Sequence, residues 1–333
     1  MNRRALLSTL AAVLLTAFAV PAQAQVTIKI ATLAPEGSTW YKAVRKIADE
    51  WARISDGEVK VKIYAGGVVG DEGAAIRKMR IGQLHAAAIT NVGLADVDPA
   101  AQVTAAPRLI HTYDELDYVM EKMNATFEQR LLDQGFVLLT WGDVGWVHLF
   151  SKNPLLDPEK ANKFKCYGGD AASAPAIEAI GFQAVPLSST DVLPSLQSGL
   201  IDTFPATPLA ALSQQWFALA KNMLDVPWSP LVGATVITTD AWNAIPAKYH
   251  ADFKKAALAA GEDIKTEVRK LDTKAVDVMK KYGLKVTTVD AEVRGAWQQA
   301  GRKSWAVFRG KMVPEAVFDE AQKHVEDFRA SKK

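Results

Sequence analysis

"VTIKIATLAPEGSTW", residues 26–40, decides the fold class. Val26, Ile28 and Ile30 alternate with polar residues, the period-two pattern of a strand with one buried face. Pro35 and Gly37 then break the pattern, and Ser38 stands where a helix N-cap is expected. From there Trp40, Val44, Ile47, Trp51 and Ile54 recur at three- and four-residue spacing, which forms a core-facing helical stripe. A strand that feeds through a short loop into an amphipathic helix is the unit from which α/β folds are built.

The same alternation continues outward. "EVKVKIY" (58–64) reads as a second strand, "AGGVVGDEG" (65–73) turns into a helix near Asp71, and "RIGQLHAAAIT" (80–90) ends in a third strand. Leu116, Val119, Met123, Phe127 and Leu131 mark a helix that stops before Gly135, and "FVLLTWGD" (136–143) follows as a buried strand. "WVHLFSK" (146–152) and "KFKCY" (163–167) are further strand candidates. Then come a helix at 172–180, a strand at 182–186, a helix capped near Ser189 or Thr190, and the strand-like "LIDTF" (200–204). Phe253, Ala257, Ile264, Val268, Leu271, Ala275, Val278 and Tyr282 fit one long helical stripe, interrupted by Gly261, and the last helix is expected to start at Pro314. The order predicts an α/β architecture with largely parallel sheets.

The chain opens with Arg3 and Arg4, an uncharged apolar run from Ala5 to Val20 and the small-residue site Ala22-Gln23-Ala24. Residues 1–24 therefore read as a secretory signal peptide cleaved before Gln25, which places the mature protein in the periplasm. Removing them leaves 37 basic against 37 acidic residues, because the segment carries two arginines and no acid. A neutral surface has no electrostatic footprint for nucleic acid. The single cysteine, Cys166, precludes an internal disulfide, so stability rests on a conventional core.

The inventory of reactive groups is sparse. The five histidines, His85, His111, His148, His250 and His324, show no metal-ligand spacing, and no metal or other cofactor is expected. No nucleophile elbow, phosphate loop or calcium loop occurs. Cys166 beside Lys165 offers a nucleophile in principle, and Asp143, Asp170, Asp191 and Asp202 a carboxylate pair; a strand-filling thiol and capping aspartates are the simpler readings. Aromatics are more informative. Trp141, Trp146 and Trp228 fall at strand ends or in loops, and Trp216 on a short helix, where α/β folds bind ligands.

Residues 28–90, with "IRKMRIGQLHAA" (76–87), and residues 163–204, with "SLQSGLID" (195–202), resemble the solute-binding proteins of TRAP transporters, the DctP type. The resemblance covers nearly all of the chain after residue 24. It implies two α/β lobes of the periplasmic binding protein fold, joined by hinge strands and braced by a long lobe-spanning helix, with solute held in the cleft between them. The expected division is 25–148 with 237–283 for lobe I, and 149–236 with 284–333 for lobe II. The protein is then no enzyme. Its partners are a small-molecule solute and the small and large integral membrane subunits of the transporter.

Three departures from the family pattern bear on the solute. The family's lysine, apolar, arginine triplet is Lys163-Phe164-Lys165 here, and Gly145-Trp146-Val147 lacks the second ligand-facing arginine. The loop after Asp202 reads Thr203-Phe204-Pro205-Ala206-Thr207, without the usual asparagine. An ammonium group cannot fork onto a carboxylate as a guanidinium does. These changes resemble the branch that works with a periplasmic TPR-repeat protein and imply a solute less polar than a dicarboxylate or sugar acid, lipid-like or aromatic. The cleft wall expected on this basis comprises Trp146, Lys165, Tyr167, Phe204 and Trp216, with Trp141, Thr207 and Trp228 as further members. Three competitors remain open: a monocarboxylate held by Lys165 alone, a periplasmic enzyme, and a docking protein that has lost solute binding.

Overall fold

The computed structural model describes residues 25–332; the expected signal peptide, residues 1–24, lies outside them. The first sheet is built from β1 (Val26–Thr32), β2 (Val59–Tyr64), β3 (Ala86–Thr90), β4 (Phe136–Trp146) and the later strand Pro230–Thr238. Its helices are α1 (Thr39–Ile54), α2 (Glu72–Arg80) and α3 (Tyr113–Asp133). The alternation seen in sequence is seated here: Ser38 caps α1 by accepting from the Tyr41 N–H, and Asp71 caps α2 by accepting from Ala74. Ile28 and Ile30 are buried under the α1 stripe of Val44, Ile47 and Trp51.

The second sheet contains β5 (His148–Ser151), β6 (Lys165–Tyr167), β7 (Gln183–Val185), β8 (Thr203–Ala206), β9 (Asn222–Leu224) and a last strand, Lys285–Thr287. It is flanked by α4 (Ala174–Ile180), α5 (Val192–Ser198) and α6 (Pro208–Ser213). With Pro230–Thr238 as β10 and Lys285–Thr287 as β11, the strand orders are β2-β1-β3-β10-β4 and β11-β9-β5-β8-β6-β7. Both sheets are mixed rather than largely parallel. The reason is topological: β10 carries the chain back from the second sheet and therefore enters antiparallel between β3 and β4. It leaves beside the outgoing connection, where Val147 donates to Ser229 O (2.9 Å) and Trp228 to Val147 O (2.9 Å). Two paired crossing segments thus join the halves.

The remaining long helices are α7 (His250–Lys281), α8 (Ala291–Lys303) and α9 (Glu315–Ser331). At 1.5 Å per residue α7 is about 48 Å long. Its beginning packs Phe253, Ala257 and Ala260 into the first half, and its end packs Met279 into the second. The buried stripe runs through Val268, Asp272, Ala275 and Met279, so Val278 and Tyr282, expected inside, are exposed. An acidic residue in that register had masked it. Packing also divides the chain differently from the sequence reading. The division at 236/237 falls inside β10, and α9 lies on α3 in one apolar cluster with Val317, Phe318, Ala321 and Val325. Of the C-terminal segment, β11 joins the second sheet and α8 and the turn Trp305–Val307 pack on the second half against α4.

Asp272 pins this junction. Its carboxylate accepts from the Leu209 N–H (3.2 Å) at the start of α6 and from Trp146 (3.4 Å) in the crossing segment. Burial raises its carboxyl to about 6, and the two N–H donors offset only part of that cost. The folded state therefore takes up a proton before the unfolded chain does, and stability falls as pH rises between 3.8 and about 6. Comparing wild type with Asp272→Asn by urea unfolding across that range should show the wild type losing up to about 1.4 kcal/mol per pH unit relative to the variant.

Candidate functional site

A cavity of about 530 Å³ opens between the two halves. The ends of β1 and β3, Trp40 and the first turn of α2 wall it on one side. Tyr167 to Asp170, Pro205 to Thr207 and Trp216 wall it on the other, with Ala260, Gly261 and Ile264 of α7 behind. A large, mostly apolar cleft at strand ends between two halves of an α/β fold is where a small ligand is expected.

Each wall residue is placed by its local structure. The Ser38 cap puts Trp40 on the first turn of α1, and its indole N–H donates to Asp143 O (3.1 Å). Trp40 was read as core; it lines the cleft instead. "KCYGGD" ends β6 at the cavity. A Cβ on Gly168 would stand 3.2 Å from both Ala174 Cβ and Ala184 Cβ, and Gly169 has φ +73°, so both glycines are required to bring this turn against α4. Thr207, fully buried, caps α6 by accepting from Ala210 N–H (3.2 Å).

Of the eight expected wall residues, Trp141, Tyr167, Thr207, Trp216 and Trp228 line the cavity. Three do not. Lys165 is exposed, two residues upstream of Tyr167 at the far end of a three-residue strand, with its N–H donating to Asp202 Oδ1 (3.0 Å). Phe204 is wholly buried, stacked on Phe150 (5.2 Å), and supports Trp216 edge-on from behind (5.4 Å). Trp146 packs edge-on against Tyr113 (5.6 Å) in the apolar core of the first half. There Gly145, at φ +118°, holds the backbone against Asp272.

Glu72 and Asp96, not singled out beforehand, join Asp143 and Asp170 in giving the site its charge. Glu72 is buried without a cation. It accepts from the Thr90 N–H (2.7 Å), the Thr90 hydroxyl (2.7 Å) and the Gly93 N–H (3.0 Å), and a Cβ on Gly93 would stand 2.4 Å from Glu72 Cβ. Burial raises its carboxyl despite those donors. Asp96 is raised by burial and then by the charge of Asp170, while Arg77 and Arg80 pull it back. Asp143 is also raised by burial, although Arg269 donates to it at 2.6 Å. Among the lining residues Arg77 is the one cation.

The arrangement lacks an evident reaction centre. Cys166 is fully buried and its thiol is pushed up by that burial, which leaves no thiolate. Asp202 is engaged by the Lys165 N–H and the Thr203 hydroxyl, and Asp170 by the Ser173 N–H. No three metal-ligating side chains gather among the described residues.

Comparison with known proteins gives a consistent family. The model described as "Bacterial extracellular solute-binding protein, family 7", the DctP family, matches residues 30–311. A solute-binding protein of Chromohalobacter salexigens is 24% identical over 300 residues, covering 86% of this chain and 82% of that one. The sialic acid-binding periplasmic protein of Vibrio cholerae is 24% identical over 294 residues, covering 84% and 88%. Among solved structures, a TRAP periplasmic solute-binding protein of Sulfurospirillum deleyianum with bound succinate superimposes with TM-score 0.82 at 20% identity, covering 90% of this chain and 99% of that one. One from Xanthobacter autotrophicus with bound β-D-galacturonate gives 0.83 at 19%, with the same coverage. With a family model spanning most of its length and the two-half fold of TRAP binding proteins around the cleft, the chain belongs to the DctP family of bacterial extracellular solute-binding proteins, which bind solutes and are not enzymes.

Proposed function

We propose that this protein captures, in the periplasm, a small organic solute with an apolar body and no carboxylate, and delivers it to the membrane subunits of a TRAP-type transporter. The observation that carries this reading is the composition of the wall: Trp40, Trp141, Tyr167, Trp216 and Trp228 line a cavity in which no ammonium group and a single guanidinium are present. Succinate and galacturonate, held by similar proteins, are acids. An acid here would meet mostly carboxylates. Lys165, the cation required by the monocarboxylate alternative, lies away from the cavity. Export through residues 1–24 and cooperation with a periplasmic TPR-repeat protein belong to the same proposal.

Capture needs no bond chemistry. Gln214 of the second half donates to Leu33 O of the first (3.3 Å), and Trp40 packs with Leu209 and Leu212 across the cleft. A solute that touches both halves gains contacts only when they meet, so it shifts the opening equilibrium by that difference in affinity.

The test is titration calorimetry of two variants against the solute that co-purifies with the native protein. Burying an aromatic-sized group contributes roughly 1.5–3 kcal/mol, so Trp216→Ala should weaken binding at least about tenfold. Lys165→Met should leave it within about twofold. The opposite ranking would return the solute to the organic acids.

A further inference from the structure

We propose that the inner end of the cleft cavity recognises an uncharged carbonyl oxygen of the solute, with the Trp228 indole N–H and the Gln102 carboxamide as the donors that bind it. The proposal rests on the preceding reading and adds the polar group that the apolar body carries.

The cavity has two unlike ends. Asp96 and Asp170, both exposed, mark its mouth. At the other end it runs between two apolar clusters, against Leu149, Ile180 and Phe182 of one and Ala176, Phe308 and Met312 of the other. Leu149, Ile180, Phe182 and Phe308 are all buried, so this end is enclosed. None of the residues that line it is charged. Arg108, whose N–H holds Trp228 O (2.8 Å), turns its guanidinium to Pro227 O (3.2 Å) and does not line the cavity.

Two polar side chains at this end lack partners. Five buried side-chain polar atoms find no hydrogen-bond partner among the described residues, and of these Trp228 Nε1 alone belongs to a residue that lines the cleft cavity. Trp228 is 4% exposed, and its backbone is tied to both Val147 and Arg108. Its Cε3–Cζ3 edge rests on Gly301, where a Cβ would stand 2.6 Å from Cζ3. The N–H, on the opposite long edge of the indole, is therefore turned away from α8, none of which lines the cavity. Gln102, 6% exposed, lines the cavity from the segment Pro99–Ala105, which packs on the turn Phe308–Met312. Its carboxamide forms no hydrogen bond with another described residue.

These groups select a chemistry. A buried donor left unpartnered is costly, and an indole N–H can only donate. A carbonyl oxygen has two lone pairs and no hydrogen of its own, so it can accept from both donors and brings nothing that needs a partner among apolar walls. A hydrocarbon would leave both donors unmatched. A carboxylate would carry a charge that no lining side chain offsets.

Three probes of matched shape test this: 4-phenylbutan-2-one, butylbenzene and 3-phenylpropanoate, titrated calorimetrically into the folded protein. Gln102→Leu and Trp228→Phe should each weaken the ketone about fivefold and leave butylbenzene within about twofold, and the propanoate should bind weakest. A second measurement uses the unaltered protein, labelled with nitrogen-15. Of its nine indole N–H signals, that of Trp228 should move downfield with the ketone and not with butylbenzene. The signal of Trp51, whose N–H already donates to Phe253 O (3.1 Å), should stay in place. A ketone that does not bind, a ketone whose affinity survives both substitutions, or a Trp228 signal that the ketone leaves unmoved overturns the carbonyl subsite. In those cases butylbenzene binding and Trp216→Ala still decide the apolar body on their own. A propanoate that binds tightest overturns both.

Discussion

Arg269→Met should lower the free energy of unfolding by about 3–5 kcal/mol, read as a shift of the urea midpoint. Arg269 sits on the face of α7 turned to the first half. Its Nε donates to Asp143 Oδ2 (2.6 Å), and its two terminal nitrogens donate to Asp117 at 2.9 and 2.6 Å. Tyr113 lies against the guanidinium plane, 4.2 Å from ring centre to carbon. The two acids are not equivalent. Asp117 is part-exposed, also receives Lys265 (3.0 Å), and its carboxyl is held down; Asp143 is buried with this one cation, and burial keeps its carboxyl raised even so. Removing the arginine therefore strands a buried charge. Adding Asp143→Asn to Arg269→Met should recover a substantial part of the loss, because the penalty belongs to the orphaned carboxylate. If the single variant is as stable as wild type, the triad contributes nothing and the cleft's charge balance must be held otherwise.

Gly261→Ala should also destabilise, by about 1–3 kcal/mol, against the usual sign for this exchange. In a helix interior alanine is ordinarily favoured over glycine by about 1 kcal/mol. Gly261 is different because α7 crosses β4 at this point with no room between them: a Cβ would stand 2.0 Å from Thr140 Oγ1 and 2.5 Å from Trp141 O. One of those atoms is backbone and cannot swing aside. The helix must lift from the strand, which also moves Ala260, Gly261 and Ile264 at the back of the cavity. Gly295 in α8 is the control, since nothing lies within 4 Å of its Cβ position. Gly295→Ala should be neutral or stabilising by up to about 1 kcal/mol. Thermal unfolding of the two variants side by side reads the difference directly, and equal behaviour would mean that the close crossing is absent.

Both cases mark the boundary between what is local and what is not. The strand of residues 26–32, the Ser38 cap and the α1 stripe follow from periodicity and side-chain chemistry within fifteen residues, so element order, α/β class and the family resemblance were legible in the chain itself. The departures at Lys165 and Val147 were legible too, as changes of residue type. Periodicity, however, reports that a face is buried and not against what. Trp40 and Trp51 share one stripe, yet Trp51 stacks on Phe253 in the core while Trp40 faces the cleft. Lys165 and Tyr167 share one face of β6, and only the cleft end of that short strand reaches the cavity. Gly261 read as an interruption until β4 was laid against it. The acidic mouth was least visible of all. Its members stand between positions 71 and 170, in two halves; taken alone, Asp71 is an ordinary helix cap and Asp170 an ordinary turn residue. Charge in a cleft is a sum over groups brought within a few ångströms of one another, and only the packing of the two sheets around α7 determines which groups enter that sum.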